Sequence, residues 1–465
     1  MSGYPVRSAL FSIFFAAFIG ACGSSSDAPT DGGAHDASFI DASADAAVDA
    51  TIDASDGGRT SRIDEVLALL SSSGGEAPLD AIVHDIAFHE GWPLHEGGRY
   101  LFVTQWSDEP SIVSLVSDIN AWATSAHTAE RSLRGSFYYV VIEESAFVAP
   151  AAGAKYKWWG SPDVYRAPPE ALAYGYDENG EFAWVVPPST APHLERFVDM
   201  ASSHLSARTV RTWVPAGFVA GSTASSHLRS LVLHDGQNVF DPNAAYGGWQ
   251  ADAALASGYE DVVAIAIDNA PDRFDVYTHV TDSVSSSEVG GNADAYLDFI
   301  ELDVLPFFRT RYGIQASGDS LMIAGSSLGG LVSIYAAMQR PTLFGCAAGL
   351  SSTLGWGSLS GDVSSRTVIE QWSSHLPSSI YLDSGGGEGG GCVDSDSDGV
   401  NDDGSDDDNY CVTLQMRDRL LELGYVSSTD VFYNFDAGAG HNEAAWRFRF
   451  PAALAACTSG GWAAP

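Results

Sequence analysis

The sequence predicts a doubly wound α/β sheet preceded by a smaller all-β sandwich domain, and three observations predict it. From residue 188 onward short apolar runs alternate with helical stretches. Strands are expected at Val210–Val214, Leu231–Leu233, Asp261–Ile267, Ser320–Ala324, Leu376–Asp383 and Val431–Tyr433, with helical stretches such as Ala293–Thr310 and Leu414–Leu423 between them. That order belongs to parallel strands joined by helical crossovers. Residues 80–187 instead carry β-type runs separated by turn signals, the pattern of a sandwich. A chain of 465 residues with 45% hydrophobic content is long and apolar enough to bury two cores.

The chain begins with a thin positive region at Arg7 and an apolar stretch, Ala9–Ile19, too short to span a bilayer comfortably and suited to a secretory signal. It ends Ile19-Gly20-Ala21-Cys22, which resembles a bacterial lipobox, with cleavage before Cys22 and acylation of that cysteine. Gly23 follows, so no aspartate-type signal for inner-membrane retention is present. Residues 23–58 are Asp, Ala, Ser, Gly and Thr with almost no large apolar side chains. Such a segment cannot offset its ordering entropy by burial and is expected to be a disordered, self-repelling tether. These features predict an exported bacterial lipoprotein of the cell envelope, at the outer membrane or cell surface. The net charge of −38 argues against nucleic acid and anionic membrane surfaces as partners, leaving the lipid as the membrane contact. Nothing in the sequence sets the oligomeric state.

The sandwich is expected from the runs Tyr100–Thr104, Ile112–Val116, Ser136–Ile142, Lys155–Trp159 and Glu181–Val186. Trp158 and Trp159 are candidates either for its core or for contact with a glycan.

The chemistry starts at Gly325-Ser326-Ser327-Leu328-Gly329. An apolar strand precedes this G-x-S-x-G and the helix-like Gly330–Met338 follows it. Strand, tight turn and helix are the setting of a nucleophile elbow, with Ser327 as the nucleophile. A serine hydroxyl needs a base, the base needs an orienting acid, and the oxyanion needs donors. After Ser327 the histidines are His375, which precedes the acid-bearing strand, and His441, in the glycine loop Gly438-Ala439-Gly440-His441. The order Ser, acid, His selects His441 as the base. Glu388 and Asp383 are the candidate acids, both following the strand that ends near Leu382; Glu388, past a glycine turn, is favoured over Asp383. The oxyanion donors are expected to be the N–H of Leu328 and the N–H of Gln237, in the turn His234-Asp235-Gly236-Gln237-Asn238.

That turn, with Val239-Phe240-Asp241 after it, resembles a signature of the enterochelin esterase (esterase D-like) branch of the α/β-hydrolases. Gly325–Gly330 and Gly438–Glu443 resemble two more, in the correct order. The resemblance spans residues 80–455 and implies an α/β-hydrolase domain over 188–465 behind an early-set, immunoglobulin-like domain. It implies a serine esterase that hydrolyses a small-molecule or glycan-linked carboxylic ester through an acyl-enzyme and needs no cofactor for chemistry. The alternatives are a glycan-binding surface lipoprotein with a weakly active hydrolase fold, and an acyltransferase on the same fold.

An acidic insert, 392–411, is bracketed by Cys392 and Cys411, the expected disulfide; Cys346 and Cys457 are a second, less supported pair. Asp394, Asp396 and Asp398, then Gly399, place oxygens at positions 1, 3 and 5 of a calcium loop, followed by the Val400 carbonyl and Asp402. Ser405 stands where an EF-hand has its bidentate Glu, so the segment resembles the short aspartate repeats of thrombospondin type 3, with Asp403 or Asp406 closing the site. A structural calcium ion is expected to hold the acid loop.

Overall fold

The computed structural model describes residues 61–463, except 109, 219–227, 285–286, 360–365, 388–390, 396 and 404–407. Cys22, the signal segment and the tether lie outside the described residues, as do Glu388 and Asp396.

The N-terminal region is β-rich but not all-β. Two helices, α1 (Arg62–Leu70) and α2 (Ala77–His89), precede its strands. Ile63, Val66 and Leu70, then Leu79, Val83 and Ile86, recur at helical spacing and are buried together. Ser61 caps α1 by accepting the Asp64 N–H. The helices cover one face of a sheet built around β1 (Arg99–Gln105) and the antiparallel Phe137–Glu143 strand. Leu101 and Val103 face the helices, while Tyr100 and Phe102 face a second core with Leu115, Tyr156 and Trp158. The alternation follows the two-residue period of a strand. Trp158 is thus fully buried in the core, which removes it as a glycan contact, while Trp159 is half-buried with its Nε1 donating to Asp163.

The second layer of the sandwich continues directly into the sheet of the C-terminal region. In chain order the strands of this layer are β2 (Val113–Ser117), β3 (Lys155–Gly160), β4 (Ala173–Asp177), β5 (Gly180–Trp184), β6 (His193–Met200), β7 (Arg208–Val214), β8 (Arg229–His234), β9 (Val262–Ile267), β10 (Gly318–Ser326), β11 (Phe344–Leu350), β12 (Ser379–Ser384) and β13 (Val431–Phe435). They run side by side as β13-β12-β11-β10-β8-β9-β7-β6-β4-β5-β3-β2 within one 14-stranded sheet. The six from β13 to β9 are parallel; β7 joins β9 antiparallel, and so do the strands beyond it. The parallel strands are covered on both faces, which is why they read as near-continuous apolar runs. Ile323, Ala347, Ile380 and Leu382 face one core, and Met322, Ala324, Ala348 and Tyr381 the other. Helix α3 (Leu328–Gln339) follows β10, α4 (Tyr410–Glu422) precedes β13, and α5 (Glu443–Ser459) closes the chain. A disulfide between Cys346 and Cys457 ties β11 to α5.

Candidate active site

Parallel pairing aligns the strand ends. Ser326 lies beside Leu350, Leu350 beside Asp383, and Ser384 beside Phe435. The loops that leave these ends build the site, as expected for an open α/β sheet.

Ser327 is the residue between β10 and α3. Its backbone has φ 57° and ψ −124°, a strained conformation for a residue with a Cβ. The flanking glycines permit it. A Cβ on Gly325 would meet the Gly329 backbone at 2.5 Å, and one on Gly330 would meet the Ser352 Oγ. Ser327 is half-buried between buried neighbours. Its N–H donates to the Leu350 carbonyl at 3.0 Å, and its carbonyl accepts from the Thr353 N–H at 3.1 Å. Thr353 Oγ1 stands 3.4 Å from Ser327 Oγ. Leu328 opens α3, so its N–H is one of the first-turn donors that a helix leaves unused internally.

Gln237 sits in the 3₁₀ turn Gly236–Asn238 directly after β8. A Cβ on Gly329 would meet His234 Cβ at 3.1 Å, so this turn packs against the first turn of α3. Three contacts fix it. The Asp235 carboxylate is gripped in two-point fashion by Arg273, at 2.7 and 2.8 Å. The Asn269 N–H donates to Gln237 Oε1 at 3.1 Å, and Asn238 Nδ2 donates to Glu443 at 3.1 Å. Burial opposes the Asp235 charge, but Arg273 outweighs it and holds that carboxyl below its ordinary value. His234, fully buried with Nδ1 2.8 Å from the Tyr296 hydroxyl, is pushed down by burial to about 3 and stays neutral.

His441 lies just before α5, after the loop that leaves β13. Its Nδ1 is 2.8 Å from Asp408 Oδ1. The Trp446 ring stands edge-on to it, with centroids 5.0 Å apart. A carboxylate on Nδ1 fixes the tautomer in which Nε2, across the ring, is the basic nitrogen.

Asp408 is therefore the carboxylate on His441; of the two acids expected from the sequence, Asp383 does not take that place, and Glu388 lies outside the described residues. Asp408 lies within the acidic insert, three positions before Cys411, which is bonded to Cys392. Its side chain is 2% exposed. Oδ2 accepts from the Gly385 N–H, from Ser351 Oγ at 2.7 Å and from Arg449 Nη1 at 3.1 Å. Burial would raise this carboxyl; the His441 hydrogen bond and charge, with Arg449 and Ser351, overcome that and hold it below the usual carboxylate range. Asp383 is fully buried at the end of β12. It accepts from the Tyr381 hydroxyl at 2.9 Å and the Ser351 N–H at 3.1 Å, and Arg449 Nη1 is 3.5 Å away. Burial pushes Asp383 up to about 7 against the pull of Arg449 and Tyr381. Asp383 shares Ser351 and Arg449 with Asp408.

The expected calcium loop forms a set of aspartate turns. Asp394 accepts from the N–H groups of Asp398 and Gly399, each at 3.1 Å, and Asp398 accepts from Val400 N–H at 2.9 Å. The Val400 side chain is buried in the core. Among the described residues, no three His, Cys, Asp or Glu side chains converge as a metal site. The side chains of Asp402 and Asp403 lie outside the described set, as does Asp396.

Comparison with known proteins follows the same lines. Residues 205–457, more than half of the chain, match the Esterase family model. A siderophore triacetylfusarinine C esterase of Aspergillus fumigatus is 31% identical over 142 residues, which are 30% of this chain and 48% of that protein. The chain thus spans about half the length of that relative. Among solved structures, a ferric enterobactin esterase of Salmonella typhimurium aligns over 78% of this chain and 94% of its own, at 14% identity and a TM-score of 0.39. A ferulic acid esterase aligns over 58% of this chain and 98% of its own, at 14% identity and a TM-score of 0.42. With its matched segment running from before β7 into α5, and with Ser327, His441 and the turn at Gln237 inside it, the chain belongs to the Esterase family.

Proposed function

We propose that the protein is an envelope-anchored serine esterase, tethered through a lipid on Cys22, that cleaves siderophore-type esters through an acyl-enzyme on Ser327. The observation that carries this reading is the Asp408–His441 pair, 2.8 Å apart, on loops that leave the same end of the parallel sheet as Ser327, the residue held at positive φ. His441 Nε2 takes the proton from Ser327 Oγ as that oxygen bonds to the ester carbonyl carbon. The carbonyl oxygen gains the negative charge and is held by the N–H groups of Leu328 and Gln237. The C–O bond to the alcohol breaks, and His441 returns the proton to the departing oxygen. Water then repeats the sequence on the acyl-enzyme and releases the acid. The siderophore class is supported by the relative 31% identical over 142 residues. The test is pre-steady-state turnover of p-nitrophenyl acetate, a feruloyl ester and a hydroxamate siderophore ester. A burst of alcohol equal to the enzyme concentration is expected, with the highest kcat/KM on the siderophore ester. Absence of a burst with slow acylation excluded, or acyl transfer to added alcohols in place of hydrolysis, would overturn the reading.

A calcium ion in the acidic insert belongs to the same proposal, as a brace for the segment that carries Asp408 and not as a Lewis acid. Excess chelator is then expected to lower Tm and activity together, both recovering with added calcium. Melting that does not move in chelator sinks the calcium reading and leaves the esterase reading untouched. The Cys392–Cys411 bond braces the same segment without any cation, and closing a loop of that size removes roughly 3 kcal/mol of unfolded-chain freedom.

A further inference from the structure

We propose that Arg449 is a positioning residue for the base pair of the site: one guanidinium sets both the direction in which Asp408 faces His441 and the charge that His441 feels. The inference rests on the Ser327–His441–Asp408 reading above.

Arg449 lies on α5 and its side chain is 2% exposed. Nη1 reaches Asp408 Oδ2 at 3.1 Å and Asp383 Oδ1 at 3.5 Å, and Nη2 donates to Ser351 Oγ at 2.6 Å. Ser351 Oγ in turn donates to Asp408 Oδ2 at 2.7 Å and accepts from Trp446 Nε1 at 3.0 Å. Apart from the approach to Asp383, these contacts act on Asp408 Oδ2, directly or through Ser351. The other oxygen, Oδ1, is thereby turned to His441 Nδ1. Clamp and base are close in the chain, because His441 lies two residues before the helix that carries Trp446 and Arg449.

The cluster also has an unusual charge balance. Two buried carboxylates, Asp383 and Asp408, share a single buried guanidinium, and His441 becomes a second cation when it takes the serine proton. The groups facing Asp408 are His441, Arg449, Ser351 and the Gly385 N–H; those facing Asp383 are Tyr381, Arg449 and the Ser351 N–H. Arg449 offsets part of the negative field that Asp408 exerts on the imidazole. Without it, the negative charge of Asp408 and Asp383 beside the imidazole is left unbalanced.

The test is the pH profile of Arg449→Met and Arg449→Lys, with kcat referred to the active fraction titrated by a fluorophosphonate. For R449M, kcat is expected to fall about 10- to 100-fold with KM held within about twofold, because the residue is buried away from substrate. The acidic limb of kcat/KM is expected to move up by about 0.5 to 1.5 pH units. R449K keeps the charge and loses the fork, so its limb should lie near that of the wild type while kcat stays about 3- to 30-fold low. A purely structural arginine would lower Tm and the active fraction but leave the limb and the normalised kcat in place. That result in R449M, or a normalised kcat of R449K equal to wild type should R449M not fold, overturns the inference. Either can occur while Ser327→Ala is still inactive, so failure of this inference is distinct from failure of the esterase mechanism.

Discussion

Ser327→Ala is expected to lower kcat on an activated ester by about four to six orders of magnitude while the protein stays folded. The size of the effect follows from what is lost. The alanine leaves no oxygen to form the acyl-enzyme, so the two-step route vanishes and only direct attack by water, helped by the donors at Leu328 and Gln237, remains. The fold should tolerate the change well. Ser327 is held through its backbone, by the Leu350 carbonyl and the Thr353 N–H, while its hydroxyl makes one long contact, 3.4 Å to Thr353. Alanine keeps the Cβ and inherits the same positive φ, so the strain is unchanged. The measurement is steady-state hydrolysis of p-nitrophenyl acetate beside a thermal melt. Activity within tenfold of wild type in a normally melting protein would remove Ser327 from the mechanism.

The second large effect is expected at Asp408. Asp408→Asn should cut kcat by about three to four orders of magnitude, because an amide facing Nδ1 admits the wrong tautomer and cannot balance the imidazolium. The same change carries a stability cost, since Arg449 is left with Asp383 as its remaining carboxylate partner in the cluster, a buried group that burial already biases toward its neutral form. The contrast with the other acids is what makes the experiment decisive. Asp383→Asn is expected to stay within about tenfold of wild-type kcat, since Asp383 touches Tyr381, Ser351 and Arg449 but acts on His441 only through them. Glu388→Gln is expected to stay within about threefold. A loss at Glu388 equal to that at Asp408 would restore Glu388 as the orienting acid.

The difference between Asp408 and the acids expected from the sequence shows where sequence reasoning reaches and where it stops. The strand–turn–helix geometry around Ser327 was legible because its motif is local: strand, glycine, serine, glycine and helix are contiguous, and the close approaches that demand the glycines lie within the same few residues. The loop that carries His441 and the turn at Gln237 were legible for the same reason. The carboxylate that meets His441 was not. Chain order places it after β12, and Asp408 obeys that order, but an insertion rich in aspartate separates it from the strand. Among so many similar carboxylates, periodicity and spacing give no preference. The one available signal was Cys411, three positions further on, whose bond to Cys392 pins this end of the insert. Strand β11 also escaped notice. Phe344-Gly345-Cys346-Ala347-Ala348-Gly349-Leu350 is made mostly of small residues with weak strand preference. Its place is set by crowding, since a Cβ on Gly345 would meet the Gly318 carbonyl at 2.6 Å and one on Gly349 the Ser352 Oγ. Helix α1 carries Ile63, Val66 and Leu70 at helical spacing, but over a span too short for the pattern to stand out in sequence.

The unbroken sheet has a consequence for how this enzyme can be cut. The family match begins at residue 205, just before β7, but β7 is hydrogen-bonded along its outer side to β6, which lies upstream of it. A fragment trimmed to the matched segment would present the whole outer rim of β7 to water as a row of unpaired amides and carbonyls. Such rims recruit a second copy of themselves. The N-terminal strands therefore act as the selvedge of the catalytic fabric, the finished border that keeps it from joining to its neighbours.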